Sequence, residues 1–289
     1  MDDTQRITRG GDGIQGAVYV AVGEKFVAEA LASAKSLKVH HPELPVTLFA
    51  DRQVTSPYID TMTVMEPMHP KLARIVYVAR SPYERTLSID TDTYICGKIE
   101  GLFSVLEQVE FGIMPAPQRL RERDLQALGR YMRQVPLEYA QLNTGVMLYR
   151  RCDRVQGLFA RWRELYERDL KAVAESGYKD PHYPGVGDQA AFREAFYGAG
   201  LMWMSLPPEY NCVAVLPGYL HEAVKILHGR FRDPEKVAAA LNARLGPRVH
   251  VPTRVGIHIY YEGGERRTVW TKGVGSRVVW GLKGLIGRW

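Results

Sequence analysis

GAVYVAVGEKFVAEALASAKSLKVHHPELPVTLFAD, residues 16–51, is the stretch on which the fold turns. Gly16 to Val22 reads as a short buried strand, because AVYVAV is an unbroken apolar run bounded by glycines. Gly23 breaks it. Phe26, Val27, Ala30, Leu31, Ala34 and Leu37 then recur at helical spacing, which predicts a helix from Phe26 to Val39 that stops in the loop His40-His41-Pro42. Val46 to Phe49 reads as a second strand, ending at Ala50-Asp51. Strand, helix and strand in such short compass make a βαβ unit. Its crossover is right-handed, its strands are parallel, and ligands are expected beyond their carboxyl ends.

The pattern continues outward. Thr61 to Met65 reads as a third strand and Pro70 to Ala79 as a helix, stopped by Ser81-Pro82 because the residue before proline disfavours helical angles. Arg85 to Ile89, RTLSI, is a strand that runs straight into Asp90. Phe111 to Pro115 and Leu142 to Tyr149 read as strands, and Leu120 to Arg133 as a charged loop or helix over a cleft. Val155 to Ser176 carries Leu158, Phe159, Trp162, Leu165, Tyr166 and Leu170 on one side of a long amphipathic helix. A helix from Asp188 to Phe196 and late strands at Met202 to Leu206 and Val224 to His228 follow. The expected fold class is α/β, with one mostly parallel central sheet flanked by helices over residues 14–235 and a basic, partly amphipathic C-terminal extension over 236–289.

Composition agrees with a folded chain. The 289 residues are 46% hydrophobic and 24% charged, which argues against disorder. No run reaches the ~20 apolar residues that span a bilayer. Met1 to Gly13 is polar and has no apolar signal core, so the expectation is a cytoplasmic protein. The three cysteines, Cys96, Cys152 and Cys212, form no C-x-x-C pair and read as buried free thiols. The net charge is +6, and all of it lies from Arg248 onward, where Arg248, Arg254, Arg266, Arg267, Lys272, Arg277, Lys283 and Arg288 face only Glu262 and Glu265. A nucleic-acid-binding domain carries its charge on a folded face, so no nucleic-acid partner is expected.

The chemistry centres on Asp90-Thr91-Asp92. Carboxylates at i and i+2 after a strand point to one side. So close, they repel and raise each other's pKa unless a cation sits between them. A hard divalent ion, Mg²⁺ or Mn²⁺, suits oxygen ligands and can neutralise a leaving diphosphate. A solvated turn is the plain alternative.

From here the sequence resembles a family. Ser81 to Thr93, SPYERTLSIDTDT, is similar to the segment around the D-x-D motif of GT-A-fold nucleotide-diphospho-sugar transferases, and most of all to glycosyltransferase family 8, the glycogenin-like and lipopolysaccharide galactosyltransferase-like group. Four more segments follow the family's order: Val18 to Val22, Leu142 to Met147 (LNTGVM), Gly187 to Ala191 (GDQAA) and Lys225 to Gly229 (KILHG). The resemblance implies metal ligation by Asp90, Asp92 and His228, with Thr91 in the donor-binding set and Asp90 also reaching the ribose. It implies that Ala21 and Val22 line a base pocket and that Lys71 or Arg74 reaches the donor phosphates or sugar. Asn143 and Thr144 would face the sugar or acceptor, and Asp188 and Gln189 would lie beneath the transferred sugar. Where the family has a Lys-Pro-Trp-like segment after the glycine, this chain departs from it with Gly229 followed by Arg230-Phe231-Arg232, and the expectation is that Arg230 or Arg232 would take the diphosphate role.

Each residue has a structural alternative: a core histidine for His228, a strand kink for Asn143-Thr144-Gly145, a helix N-cap for Asp188, and a solvated helix face for Lys71 and Arg74. The implied activity is metal-dependent transfer of a sugar, with retention of configuration, from a nucleotide diphosphate (UDP favoured, GDP the alternative) to a hydroxyl of a glycan or small molecule. The competing readings are a non-catalytic nucleotide- or glycan-binding protein, and a sugar-phosphate nucleotidyltransferase. The latter is disfavoured because Val22-Gly23-Glu24-Lys25 is too poor in glycine for a phosphate loop. In the tail, Val274, Val278, Leu282, Leu285 and Trp289 recur at helical spacing among glycines and cations. That pattern suits docking on the domain or a second subunit, or peripheral contact with a membrane surface.

Overall fold

A computed structural model describes residues 15–116, 135–136, 138–176 and 187–271. The expected N-terminal arm, the charged segment Leu120 to Arg133 and the amphipathic tail from Gly273 lie outside the described residues.

β1 (Gln15–Ala21), α1 (Glu24–His40) and β2 (Val46–Ala50) form the expected βαβ unit, with β1 and β2 parallel. Both strands are buried almost throughout, which is why they read as continuous apolar runs rather than alternating ones. β3 (Thr61–Val64), β4 (Arg85–Ile89), β6 (Phe111–Pro115), β7 (Leu142–Arg150) and β8 (Trp203–Ser205) complete a seven-stranded sheet in the order β3-β2-β1-β4-β7-β6-β8, with α2 (Pro70–Val78) between β3 and β4 in the chain. The sheet is mostly parallel: β7 alone runs against its neighbours β4 and β6. The short, exposed strands β3 and β8 close the two edges.

Helices cover both faces. On one side α1 and a 3₁₀ segment, Glu100–Glu107, pack Ala30, Leu37, Leu102 and Phe103 against Tyr19, Leu48 and Leu87. On the other, α2, α3 (Asp153–Ser176) and α4 (Asp188–Gly198) bury Ile75, Phe159, Trp162, Phe192 and Phe196 against Phe111 and Tyr149. Trp162 is fully buried, so its truncation to alanine would cost about 3–5 kcal/mol.

Two smaller sheets complete the described chain. β5 (Thr93–Ile95), β11 (Ile226–His228) and β9 (Cys212–Val213) pair in the order β5-β11-β9. β10 (Gly218–Leu220), β12 (Arg248–Pro252), β13 (Gly256–Tyr261) and β14 (Arg266–Trp270) form an antiparallel meander. The meander shares a core with α5 (Pro234–Leu241) and the three-stranded sheet, where Val237 and Leu241 meet Leu227, Ile257 and Val269. The first part of the basic extension is therefore folded. Arg248, one of its charges, is buried and spends its guanidinium on the carbonyls of Leu241, His221, Gly246 and Glu222. No helix among the described residues is long and apolar enough to cross a membrane.

Candidate functional site

The chain leaves β4 through Asp90-Thr91-Asp92 and re-enters regular structure at β5. This turn is held from both sides: the Asp90 N–H donates to the Gly145 carbonyl at 2.7 Å, and the Gly229 N–H donates to the Asp92 carbonyl at 2.9 Å. A buried hydroxyl chain supports it from below. Tyr19 meets Ser33 at 2.9 Å, Ser33 meets Thr93 at 2.7 Å, and Thr93 donates to the Asp90 carbonyl at 2.9 Å. Because that carbonyl only accepts, the donations run outward from Tyr19.

β11 lies beside β5 with His228 opposite Thr93, so the imidazole faces both aspartates. His228 Nε2 is 3.5 Å from Asp92 Oδ1 and 3.8 Å from Asp90 Oδ2. The remaining carboxylate oxygens go to arginines: Asp90 Oδ1 is 2.9 Å from Arg74 and Asp92 Oδ2 is 3.0 Å from Arg230. Each aspartate thus turns one oxygen to the histidine and one to a guanidinium. The donor atoms of Asp90, Asp92 and His228 lie within 4.8 Å of one another. Metal–donor distances of about 2.0–2.2 Å ask for this kind of spacing, so the triad fits a divalent ion such as Mg²⁺ or Mn²⁺.

The histidine is presented in the tautomer a metal ligand needs. Its Nδ1 lies 2.8 Å from Asn211 Oδ1, and Asn211 Nδ2 donates to Asn143 Oδ1 at 3.2 Å. Asn143 Oδ1 also accepts the Gly145 N–H at 2.8 Å. With Asn211 donating through its nitrogen, its oxygen is left to accept, so His228 keeps a proton on Nδ1 and Nε2 is the atom that would ligate once it gives up its own proton. Gly145 makes room for the ring, since a Cβ there would lie 2.2 Å from His228 Cε1. The strand pairing is irregular here: between β6 and β7 it jumps from Ile113↔Met147 to Met114↔Asn143. The glycine marks a bulge and a close approach at once.

A second half of the site joins the first through Arg74. Besides Asp90, its guanidinium donates to Asp188 at 2.9 Å, to the Thr144 hydroxyl at 3.0 Å and to the Thr144 carbonyl. Asp188 is not the N-cap of α4. That position is Gly187, without a side-chain cap, and Asp188 in the first turn spends its carboxylate on Arg74. The fully buried Trp162 donates Nε1–H to the Asp188 carbonyl at 3.0 Å and lies 5.9 Å from the Arg74 guanidinium.

At the other end, Arg230 forks onto Glu29 of α1, with Nε and Nη2 at 2.9 and 3.1 Å from its two oxygens. The Thr91 hydroxyl donates to the same carboxylate at 3.1 Å.

The structure therefore gathers Asp90, Thr91, Asp92, Asn143, Thr144, Asp188, His228, Gly229 and Arg230, with Arg74 as the link. Ala21 and Val22 end β1, where Gly23 (φ +97°) donates its N–H to Asp51 at 2.8 Å. Gln189 is half-buried beside Asp188. Lys71 lies on α2 a turn before Arg74, close enough to His69 to help hold that imidazole's pKa down, after burial. Glu29 and Asn211 were not anticipated. Glu29 looks in sequence like half of an exposed i,i+4 pair with Lys25, which it also makes at 3.8 Å, and Asn211 carries no pattern at all.

The charges are strongly coupled. Burial opposes ionisation of Asp92, but the His228 imidazole and then Arg230 outweigh it and bring the carboxyl down to about 2. For Asp90 burial wins over Arg74 and His228, and its pKa rises. Burial works against the His228 cation, yet the two aspartates raise its pKa above the ordinary 6.5. Two half-buried acids that hold a proton on a neighbouring imidazole form a site in which a cation is favoured.

No family model matches the chain, and neither does any curated protein. Solved structures do. A galactosyltransferase, LgtC, in complex with donor and acceptor sugar analogues is 12% identical, with a TM-score of 0.44 over 68% of this chain and 74% of that one. An active-site variant of LgtC gives 11%, 0.49, 78% and 94% in the same terms. The glycosyltransferase GlyE of Streptococcus pneumoniae TIGR4 gives 15%, 0.45 and 75%, and there the match spans 55% of the other chain. All three of those proteins are glycosyltransferases.

Proposed function

We propose that this protein is a metal-dependent glycosyltransferase that moves a sugar from a nucleotide diphosphate, UDP favoured and GDP the alternative, to a hydroxyl of a glycan or small-molecule acceptor. The observation that carries the proposal is the shared orientation of Asp90, Asp92 and His228, one donor atom each, beside an arginine-bound Asp188. Mn²⁺ or Mg²⁺, held by those three residues, would supply positive charge for the departing diphosphate. Arg230, already on Asp92, would add a guanidinium to the phosphates. Ala21 and Val22, at the carboxyl end of β1, would take the base, and Thr91 and Gly229 would line the diphosphate. Arg74, with Lys71 near it, would serve the phosphates or sugar; Asn143 and Thr144 would stand at the sugar or acceptor side.

The reaction is a displacement at the anomeric carbon. The bond from that carbon to the diphosphate oxygen breaks, and its electron pair leaves with the nucleotide. The acceptor oxygen bonds to the same carbon and loses its proton to the departing phosphate. Attack on the face the diphosphate leaves gives retention. Asp188 and Gln189 stabilise the positive charge that develops on the sugar. The Arg74 ion pair blunts Asp188 as a nucleophile, which favours this ion-pair route over a covalent glycosyl-Asp188.

The experiment is a thermal-shift panel of UDP- and GDP-sugars with and without Mn²⁺. A ligand that binds only the folded state raises the melting temperature by mass action. Stabilisation by a nucleotide sugar only when Mn²⁺ is present supports the proposal, and no response to any member refutes it.

A further inference from the structure

We infer that Glu29 is a positioning residue for the donor: it holds the Arg230 guanidinium in place beside Asp92, where a nucleoside diphosphate would meet it. The inference rests on the nucleotide-sugar reading above. Arg230 sits in an exposed loop just after Gly229, which adopts φ +131°, and its side chain is 44% exposed. Left alone, such an arginine samples many rotamers, and ordering it has an entropic cost. Here it is fixed on three sides. Nε and Nη2 grip the two oxygens of Glu29, Nη1 reaches Asp92 Oδ2 at 3.0 Å, and the Phe26 ring lies 5.4 Å from the guanidinium. Phe26 and Glu29 are i and i+3 on α1, so one helix face supplies both walls of the holder. Glu29 is itself fixed by the Thr91 hydroxyl, which ties α1, the Asp90-Thr91-Asp92 turn and the loop after β11 at one carboxylate.

The sign of the effect separates holding from plain charge. A carboxylate near a phosphate site repels the phosphate, so if Glu29 acted only through its charge, removing it would tighten binding. As a holder it does the reverse, because its loss frees Arg230. The shorter Glu29→Asp keeps the charge but withdraws the fork by one methylene, and so should behave like Glu29→Gln.

The test is calorimetric titration of the full chain with UDP and with GDP, each with Mn²⁺, and with Mn²⁺ alone. The proteins are wild type, E29Q, E29D, R230Q and the double variant E29Q/R230Q, with melting temperatures recorded to confirm folding. E29Q and E29D should each weaken nucleotide binding about tenfold, mid-range for a coupled charged pair. The E29Q effect should vanish in the R230Q background, and affinity for Mn²⁺ alone should change little. Unchanged or tighter nucleotide binding by E29Q overturns the inference, as does an equal loss in the R230Q background. Failure of the wild type to bind either nucleotide overturns the donor reading itself, a separate outcome.

Discussion

Replacing Gly145 with alanine tests the site where it has least room. The new methyl carbon would lie 2.2 Å from His228 Cε1 and 2.9 Å from both His228 Nδ1 and Asn143 Oδ1. Carbon atoms pack at about 3.5–4.0 Å, so the imidazole must retreat by roughly 1.3 Å or more. Metal sites tolerate about 0.2 Å of error in ligand distance, so Nε2 leaves the donor set. Disturbing a ligand's support alone costs about 10–100-fold in metal affinity, and we expect G145A to reach the upper end, about 100-fold. Overpacking adds a stability cost of about 1–3 kcal/mol. The assay is Mn²⁺ titration followed by electron paramagnetic resonance, with melting curves alongside. Gly157→Ala is the control: nothing lies within 4 Å of a Cβ at that position inside α3, so it should raise stability by up to about 1 kcal/mol and leave Mn²⁺ binding alone. G145A with wild-type Mn²⁺ affinity would refute the role given to His228.

Three further outcomes are expected. Asp92→Asn removes a charge that His228 and Arg230 hold ionised, so it should bind Mn²⁺ at least tenfold more weakly and lose most sugar transfer, as product assays would record. His228, whose pKa is raised, must give up its proton to ligate, so Mn²⁺ affinity measured by titration should rise with pH until the imidazole is neutral and then level off; the ion pairs that raise this pKa stabilise the metal-free fold fully below pH 6.5, and that contribution is lost as the pH climbs through the raised value. His250 is the opposite case: it is buried, and burial outweighs its backbone hydrogen bonds to Val213 and Leu216 and depresses its pKa to about 4. Its unfolded form takes up protons first, so stability falls as pH drops from 6.5 towards 4, by up to about 3 kcal/mol, and hydrogen exchange should locate the loss in the β10–β12–β13 meander. A flat exchange profile over that range would refute it.

How far the site was legible depended on how local each signal is. β1, α1 and β2 announce themselves because buried parallel strands and an apolar helix face leave periodic patterns over many residues. The pair Asp90 and Asp92 is legible for the same reason, since it sits where such a strand ends. The strand ending at His228 is legible, but its partners β5 and β9 are two or three residues long and carry no period, so nothing in the sequence foretold the small sheet that sets His228 opposite Thr93. Arg74 and Lys71 are equivalent cations on paper. Only the packing of α2 against β1 and α3 selects Arg74 to bridge Asp90 and Asp188. Asp188 shows the limit from the other side: an aspartate at a helix start is usually a cap, and here the next glycine back takes that position. Glu29 and Asn211 act on residues far away along the chain, and no local pattern encodes such a partner.

That distance has a kinetic meaning. The bond between Arg230 and Glu29 joins residues 201 positions apart, and the one between Arg74 and Asp188 spans 114. Contacts of such long sequence separation carry a large loop-closure cost and form late. A cation bound by Asp90, Asp92 and His228 would therefore recognise only the finished chain. It would act as a clasp, slowing the escape from the native state while leaving the speed of arrival unchanged.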